Sequence, residues 1–163
     1  MAEQHEAHAF EQHDHDHCVA RTVASARELC EKQGLRLTPT RKRVLEILLE
    51  EHKALGAYEV LARLSAEGQG AHPPVAYRAL DFLVAHGLAH KIERLNAFIA
   101  CHHPGEGHRP AFMICRECES VAEAHVAPDD GALGAQAGAI GFHIERAVIE
   151  AEGLCPACQD AKA

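Results

Sequence analysis

Seven cysteines and fourteen histidines are the chemical resource of this chain of 163 residues. Four of the cysteines fall in two C-x-x-C pairs, Cys115-Arg116-Glu117-Cys118 and Cys155-Pro156-Ala157-Cys158. Two thiolates three residues apart bind one ion from a tight knuckle. Two knuckles complete a tetrahedral S₄ shell, which zinc accepts without strain and without redox chemistry. The interval between the pairs is far longer than the roughly 15–20 residues of a simple zinc ribbon. The shell must therefore clip the start of a subdomain to its end. It leaves no open coordination position, so its expected role is structural.

A second group contains His90, Cys101, His108 and Glu123, with His102, His103, His125 and His143 as rivals. The leading four offer one thiolate, two imidazoles and one carboxylate. That mixture suits zinc and is softer than an iron(II) site wants. The ligands come from both halves of the chain, so an ion held by them would fix one arrangement of the halves and shift the population toward it. A different chemistry is weighed from His143-Ile144-Glu145 followed by Cys155-Pro156-Ala157-Cys158, which has the look of a zinc deaminase signature. Here the proline lies inside the pair, the interval is short, and the other C-x-x-C competes for the same ion. A catalytic zinc also needs an open position. The chain therefore reads as a non-enzyme.

The elements that must position these ligands are legible in the periodicity. A helical pattern runs from Val19 to Lys32, with Gly34 as its stop. Thr38 is a good N-cap and Pro39 fits the first position of a second helix. In that helix Val44, Ile47, Leu48 and Glu51 mark one side, and Leu45 and Leu49 widen the apolar face. A third helix starts near Ala57, carries Val60, Leu61 and Leu64, and ends at Gly68. A fourth opens at Pro73-Pro74 and closes at Gly87. Its Ala76, Ala79, Leu80 and Leu83 face inward, while Tyr77, Arg78 and Asp81 stay outside. Leu88–Glu93 and Ala97–Cys101 read as two short strands. Helices followed by such a hairpin have the order of a winged helix-turn-helix.

After Cys101 the composition shifts. Ala111–Ile114 and Val121–His125 are strand-like around the first cysteine pair, Asp129–Gly141 is a small Ala/Gly-rich helix, and Phe142–Glu152 alternates as a strand. The fold class expected is α+β: an N-terminal winged helix-turn-helix domain plus a small C-terminal α/β dimerisation domain with a Cys₄ zinc site. The domains are a disordered His-rich tail over 1–18, the winged domain over 19–93, a hinge over 94–101, and the dimerisation and metal-binding domain over 102–163.

Charge fits this division. The net charge is −8, yet the middle of the chain is basic. Residues 1–18 carry a net −5 and residues 93–163 a net −6, whereas residues 19–92 carry +3. Local positive charge facing phosphates is what nucleic-acid affinity needs. The N-terminal part of a recognition helix reaches base edges. Arg78 and Tyr77 sit there, and Arg pairs well with guanine. Thr38, Thr40, Arg41, Lys42, Tyr58 and Lys91 are candidates for phosphate. The bland alternative is an i, i+3 ion pair between Arg78 and Asp81. No apolar run is long enough for a membrane-spanning helix, and the N-terminus has no secretory pattern. An odd number of cysteines without such a signal reads as reduced thiols of the cytoplasm. Cys18 and Cys30 receive no chemical role.

Five segments together resemble the ferric uptake regulator family, and most of all its zinc-responsive members. They are Leu37-Thr38-Pro39-Thr40-Arg41, Val75–Leu83, Gly87-Leu88-Ala89-His90-Lys91, Phe112–Cys118 and Ile149–Cys158. The resemblance covers nearly everything after residue 19. It implies a homodimer that binds operator DNA of zinc-uptake genes, and represses them, when zinc is loaded. It implies two zinc ions per chain: a structural one on Cys115, Cys118, Cys155 and Cys158, and a regulatory one on His90, Cys101, His108 and Glu123. Tyr58 and Arg78 match base-contacting positions. Val75-Ala76-Tyr77 departs from the commoner Thr-Val-Tyr and leaves one fewer hydroxyl for phosphate. The His-His-His-x-His loop typical of iron regulators is reduced to His102-His103 and a later His108, which supports zinc. An iron-, manganese- or peroxide-responsive regulator of the same family is the alternative.

Overall fold

Apolar spacing builds the first part of the chain. α1 (His15–Lys32) buries Thr22, Val23, Ala26 and Cys30, a stripe at helical intervals. It begins four residues before Val19, so His15–Cys18, expected in the tail, are helical. Thr22 offsets its buried hydroxyl by donating to the Cys18 carbonyl at 3.0 Å. α2 (Pro39–Leu49) starts where Thr38 and Pro39 dictate: Thr38 Oγ1 accepts from the Arg41 amide at 3.4 Å. It ends at Leu49, which leaves Glu51 outside the helix and exposed. α3 (Ala57–Ala66) is opened by Glu59, whose carboxylate accepts from the Gly56 amide at 2.7 Å. α4 (Pro73–Ala85) buries Ala76, Ala79, Leu80 and Leu83 as the periodicity requires. Gly87 follows it with φ +68°, a left-handed stop that favours glycine.

β1 (Ala89–Ile92) and β2 (Ala97–Ala100) pair antiparallel, with His90 opposite Ile99. Asn96, at φ 46°, turns the hairpin. Leu55 adds an isolated antiparallel bridge to Phe98 on β2, which sequence periodicity could not show. The helices and hairpin share one core in which Val44, Leu45, Leu48, Val60, Leu64 and Leu80 are sealed from water. At the surface Arg43 gathers Glu46, Glu50 and Glu67, and Arg63 reaches Glu50 at 2.6 Å. This ties α2 to α3.

The computed structural model describes residues 10, 15–68, 72–105, 109–126 and 131–161. They divide into two units, residues 12–106 and residues 107–163 with 1–11. The division falls after residue 106, later than the hinge expected at 94–101.

In the second unit β3 (Pro110–Cys115) lies between β4 (Val121–His125) and β5 (Ile149–Gly153). It runs antiparallel to β4 and parallel to β5. Successive β3 residues Ala111 and Phe112 are both buried, and successive side chains of a strand point to opposite faces. α5 (Ala132–Ala139) and the short α6 (Pro156–Asp160) complete the unit. The strand expected over Phe142–Glu152 forms only from Ile149. α6 was not foreseen, although Pro156 sits at its first position.

Candidate metal centres and nucleic-acid interface

Sheet topology delivers the two cysteine knuckles to one place. The first is the turn that leaves β3: Cys115 is its last residue, Glu119 takes φ 63°, and the Glu119 amide donates to the Cys115 carbonyl at 2.9 Å. The second follows β5. Because β5 runs parallel to β3, both strands end at the same edge, with Cys115 opposite Gly153. Arg116 seals the junction by donating its amide to the Gly153 carbonyl at 2.9 Å. The sulfurs of Cys115, Cys118, Cys155 and Cys158 consequently all lie within 4.8 Å of one another. Cys118 Sγ and Cys155 Sγ are 3.7 Å apart.

The electrostatics favour a cation at their centre. The Cys118 amide, then the Cys155 amide, which donates to Cys115 Sγ at 3.3 Å, pull the Cys115 thiol down to about 6. Ser120, beside Cys118 at 3.3 Å, lowers Cys118 as well. Cys158 is pushed up to about 12, first by the Cys155 side chain, then by burial and the other two sulfurs. Four sulfurs this close cannot all ionise alone. A divalent ion removes that conflict by displacing the remaining protons.

His90 and Cys101 come together within the first unit. His90 is on β1, and Cys101 follows β2, its amide donating to the Leu88 carbonyl at 3.0 Å. The hairpin register thus sets a ring nitrogen of His90 within 4.8 Å of Cys101 Sγ. Glu123 belongs to the second unit, on β4 opposite Phe112. His108 lies outside the described residues. Of the rivals, His102 and His103 are half-buried beyond Cys101, whereas His125 at the end of β4 and His143 after α5 are exposed.

The candidate DNA-reading residues divide by what already occupies them. Arg78 is exposed on the first turns of α4 and forms no ion pair with Asp81 or any other described residue. Tyr58 is 71% exposed at the start of α3 and Tyr77 42% at the start of α4, their rings meeting edge to face at 6.5 Å. They border a cleft of about 600 Å³ completed by Asp81, Lys91, Asn96 and Phe98. Arg41, in contrast, lays its guanidinium 3.7 Å over the Phe82 ring and donates to the Arg36 carbonyl at 2.6 Å. Lys42 pairs with Glu46 at 3.1 Å, and Thr38 caps α2. These three have structural work within the unit, while Thr40 is half-buried on α2.

Residues 32–151 match the ferric uptake regulator family. The chain is 37% identical over 142 residues to the zinc uptake regulation protein of Escherichia coli (strain K12), covering 86% of this chain and 83% of that one. The chain belongs to the ferric uptake regulator family. Within the family, a solved structure of a zinc uptake regulator complexed with zinc and DNA matches with a TM-score of 0.80 at 35% identity. It covers 88% of this chain and 97% of the other. The crystal structure of holo XcZur matches at 0.76 and 40% identity, covering 86% and 98%. The winged helix-turn-helix plus C-terminal dimerisation domain of such neighbours is the fold class expected from the sequence.

Proposed function

We propose that this chain is a zinc-dependent transcriptional repressor that binds operator DNA of zinc-uptake genes as a homodimer when its regulatory site is loaded. The observation that carries this reading is the likeness, over nearly the whole chain, to a zinc uptake regulator solved with zinc and DNA. It acts as a regulator of transcription, not as an enzyme. Two zinc ions serve each chain. One sits on Cys115, Cys118, Cys155 and Cys158 and holds the second unit's strand ends together. The other uses His90, Cys101, His108 and Glu123. The hairpin supplies two of these already close together, and the thiolate among them favours zinc over iron.

Arg78 and Tyr77 on α4 read base edges, with Tyr58 beside them. In this reading Thr38, Thr40, Arg41 and Lys42, around the start of α2, contact phosphate, Arg41 and Lys42 by exchanging the partners they hold within the unit. The homodimer is supported by apolar side chains that the second unit leaves in water, Leu133 at 51%, Ile140 at 81% and Phe142 at 63%. No helix among the described residues is long and apolar enough to cross a membrane. No disulfide joins the described cysteines, and the reading places this work on DNA in the cytoplasm.

Zinc shifts the equilibrium only by its differential affinity for the DNA-competent arrangement. Cys101→Ala should keep one structural zinc per chain and the dimer, and lose zinc-stimulated operator binding. Zinc stoichiometry and operator affinity across buffered free zinc provide the check. Curves superimposable on wild type would remove Cys101 from the sensor.

A further inference from the structure

The tip of α4 is built without donors. Pro73 and Pro74 occupy its first two positions and carry no amide hydrogen. The third amide, that of Val75, donates to the His72 carbonyl at 2.9 Å. A helix start ordinarily offers its first N–H groups to phosphate, and here the first three positions have none to give. The side chains of Pro73, Pro74 and Val75 are exposed, and none of them is polar. The first turn of α2, in contrast, carries Thr40, Arg41 and Lys42. Val75 also lies off the buried stripe of α4, which runs through Ala76, Ala79, Leu80 and Leu83. It leaves a β-branched apolar side chain 36% exposed on the same surface as Arg78.

We propose that Val75 is a specificity-determining residue that reads the 5-methyl group of a thymine in the major groove. This rests on the DNA-reading role proposed above for α4. Phosphate wants donors and positive charge, and the tip of α4 supplies neither at Pro73, Pro74 or Val75. Thymine is the base whose major-groove edge presents a methyl group, and a small apolar side chain is what recognises it. The side chain of Val75 is stiff at χ1 in a helix, so holding it against that methyl costs little rotamer freedom. Val75 and Arg78, three residues apart on one helix, have Cβ atoms about 5–6 Å apart. Successive bases along a strand are about 3.4 Å apart. The thymine therefore lies about one or two base pairs from the base that Arg78 reads. The two helices divide the work: the start of α2 positions the unit on the backbone, and the tip of α4 specifies sequence.

The test begins with the full, zinc-loaded chain selecting its preferred site from a random duplex library. Each thymine of the selected duplex is then replaced singly by deoxyuridine, which removes one methyl group and leaves base pairing intact. Wild type should lose about fourfold in affinity at one thymine per half-site, the factor that corresponds to about 0.8 kcal/mol for one buried methyl-sized group. That thymine should lie within about two base pairs of the position whose preference Arg78→Ala relaxes. Val75→Ser should bind the thymine and uracil forms of that site equally, with zinc content and helix content as in wild type. Val75→Ile, which keeps the apolar surface, should keep the discrimination. At every other thymine Val75→Ser and wild type should respond alike. A selected site with no uracil-sensitive thymine would overturn this inference and leave DNA binding standing. So would a sensitivity that Val75→Ser retains in full. A wild type that selects no sequence with zinc bound would overturn the repressor reading, and this inference with it.

Discussion

In the unit of residues 12–106, Leu48, Leu64, Leu80 and Leu83 come from three helices and are sealed together. In the described part of the other unit, the largest buried side chains are Phe112, Ile114 and Val121, on two strands of a three-stranded sheet. Each fully buried Leu contributes about 1.5–3 kcal/mol. The first unit collects many such contributions and has its Arg43 and Arg63 networks besides. The second collects few, exposes Leu133, Ile140 and Phe142, and brings four sulfurs within 4.8 Å of one another. Two strategies for holding a fold thus share one chain. Burial suffices where helices enclose a core, and where a thin sheet cannot, the proposed metal shell and a second copy would supply what is missing.

The sharpest way to break this contrast is to remove the shell. Binding free energies of structural zinc are folding free energies, on the order of 10–16 kcal/mol near neutral pH. Cys115→Ser or Cys158→Ser should release that zinc and leave a largely monomeric protein whose strands β3–β5 are lost. The helices of the first unit should persist. Circular dichroism, zinc content and sedimentation check this together. A mutant dimer with full secondary structure would show that the shell is not what holds the second unit.

The converse change belongs in the core. Leu80 on α4 is fully buried among α2, α3 and α4 residues. Leu80→Ala should cost about 2–5 kcal/mol. The loss should appear in urea unfolding of the first unit, with the Cys₄ zinc retained. If Leu80→Ala released zinc as readily as Cys158→Ser, the two units would be one cooperative block.

The same contrast explains what could be read from sequence. Helices α2, α3 and α4 were legible nearly to the residue, because Thr38-Pro39, Pro73-Pro74 and Gly87 are local signals flanking a strong apolar period. The meeting of the four cysteines was legible because a C-x-x-C pair is itself a knuckle. The extent of β5 was not, since Phe142 to Val148 have strand-like composition and only the register with β3 decides where pairing begins. The Leu55–Phe98 bridge and the Arg41–Phe82 stack were hidden for the same reason: each joins residues distant in sequence. The start of α1 was misplaced because His15-Asp16-His17 looks like more of the polar tail, whereas His15 is held by the Glu50 carbonyl, 35 residues away.

The smallest effect expected concerns reading rather than folding. Of the basic residues at the starts of α2 and α4, Arg41 and Lys42 already have partners within the unit, and Arg78 has none among the described residues. Arg78 can thus reach a base edge without giving up an internal contact. Loss of a bidentate base contact costs about 1–3 kcal/mol and relaxes preference at that position. Arg78→Ala should weaken operator binding by that amount, with zinc content and unfolding midpoint unchanged. Random DNA separates the two roles open to this side chain. Affinity for it should hardly move if Arg78 reads a base. Should operator and random DNA weaken equally, Arg78 touches only phosphate, and base reading would pass to Tyr77 and Tyr58 at the rim of the cleft.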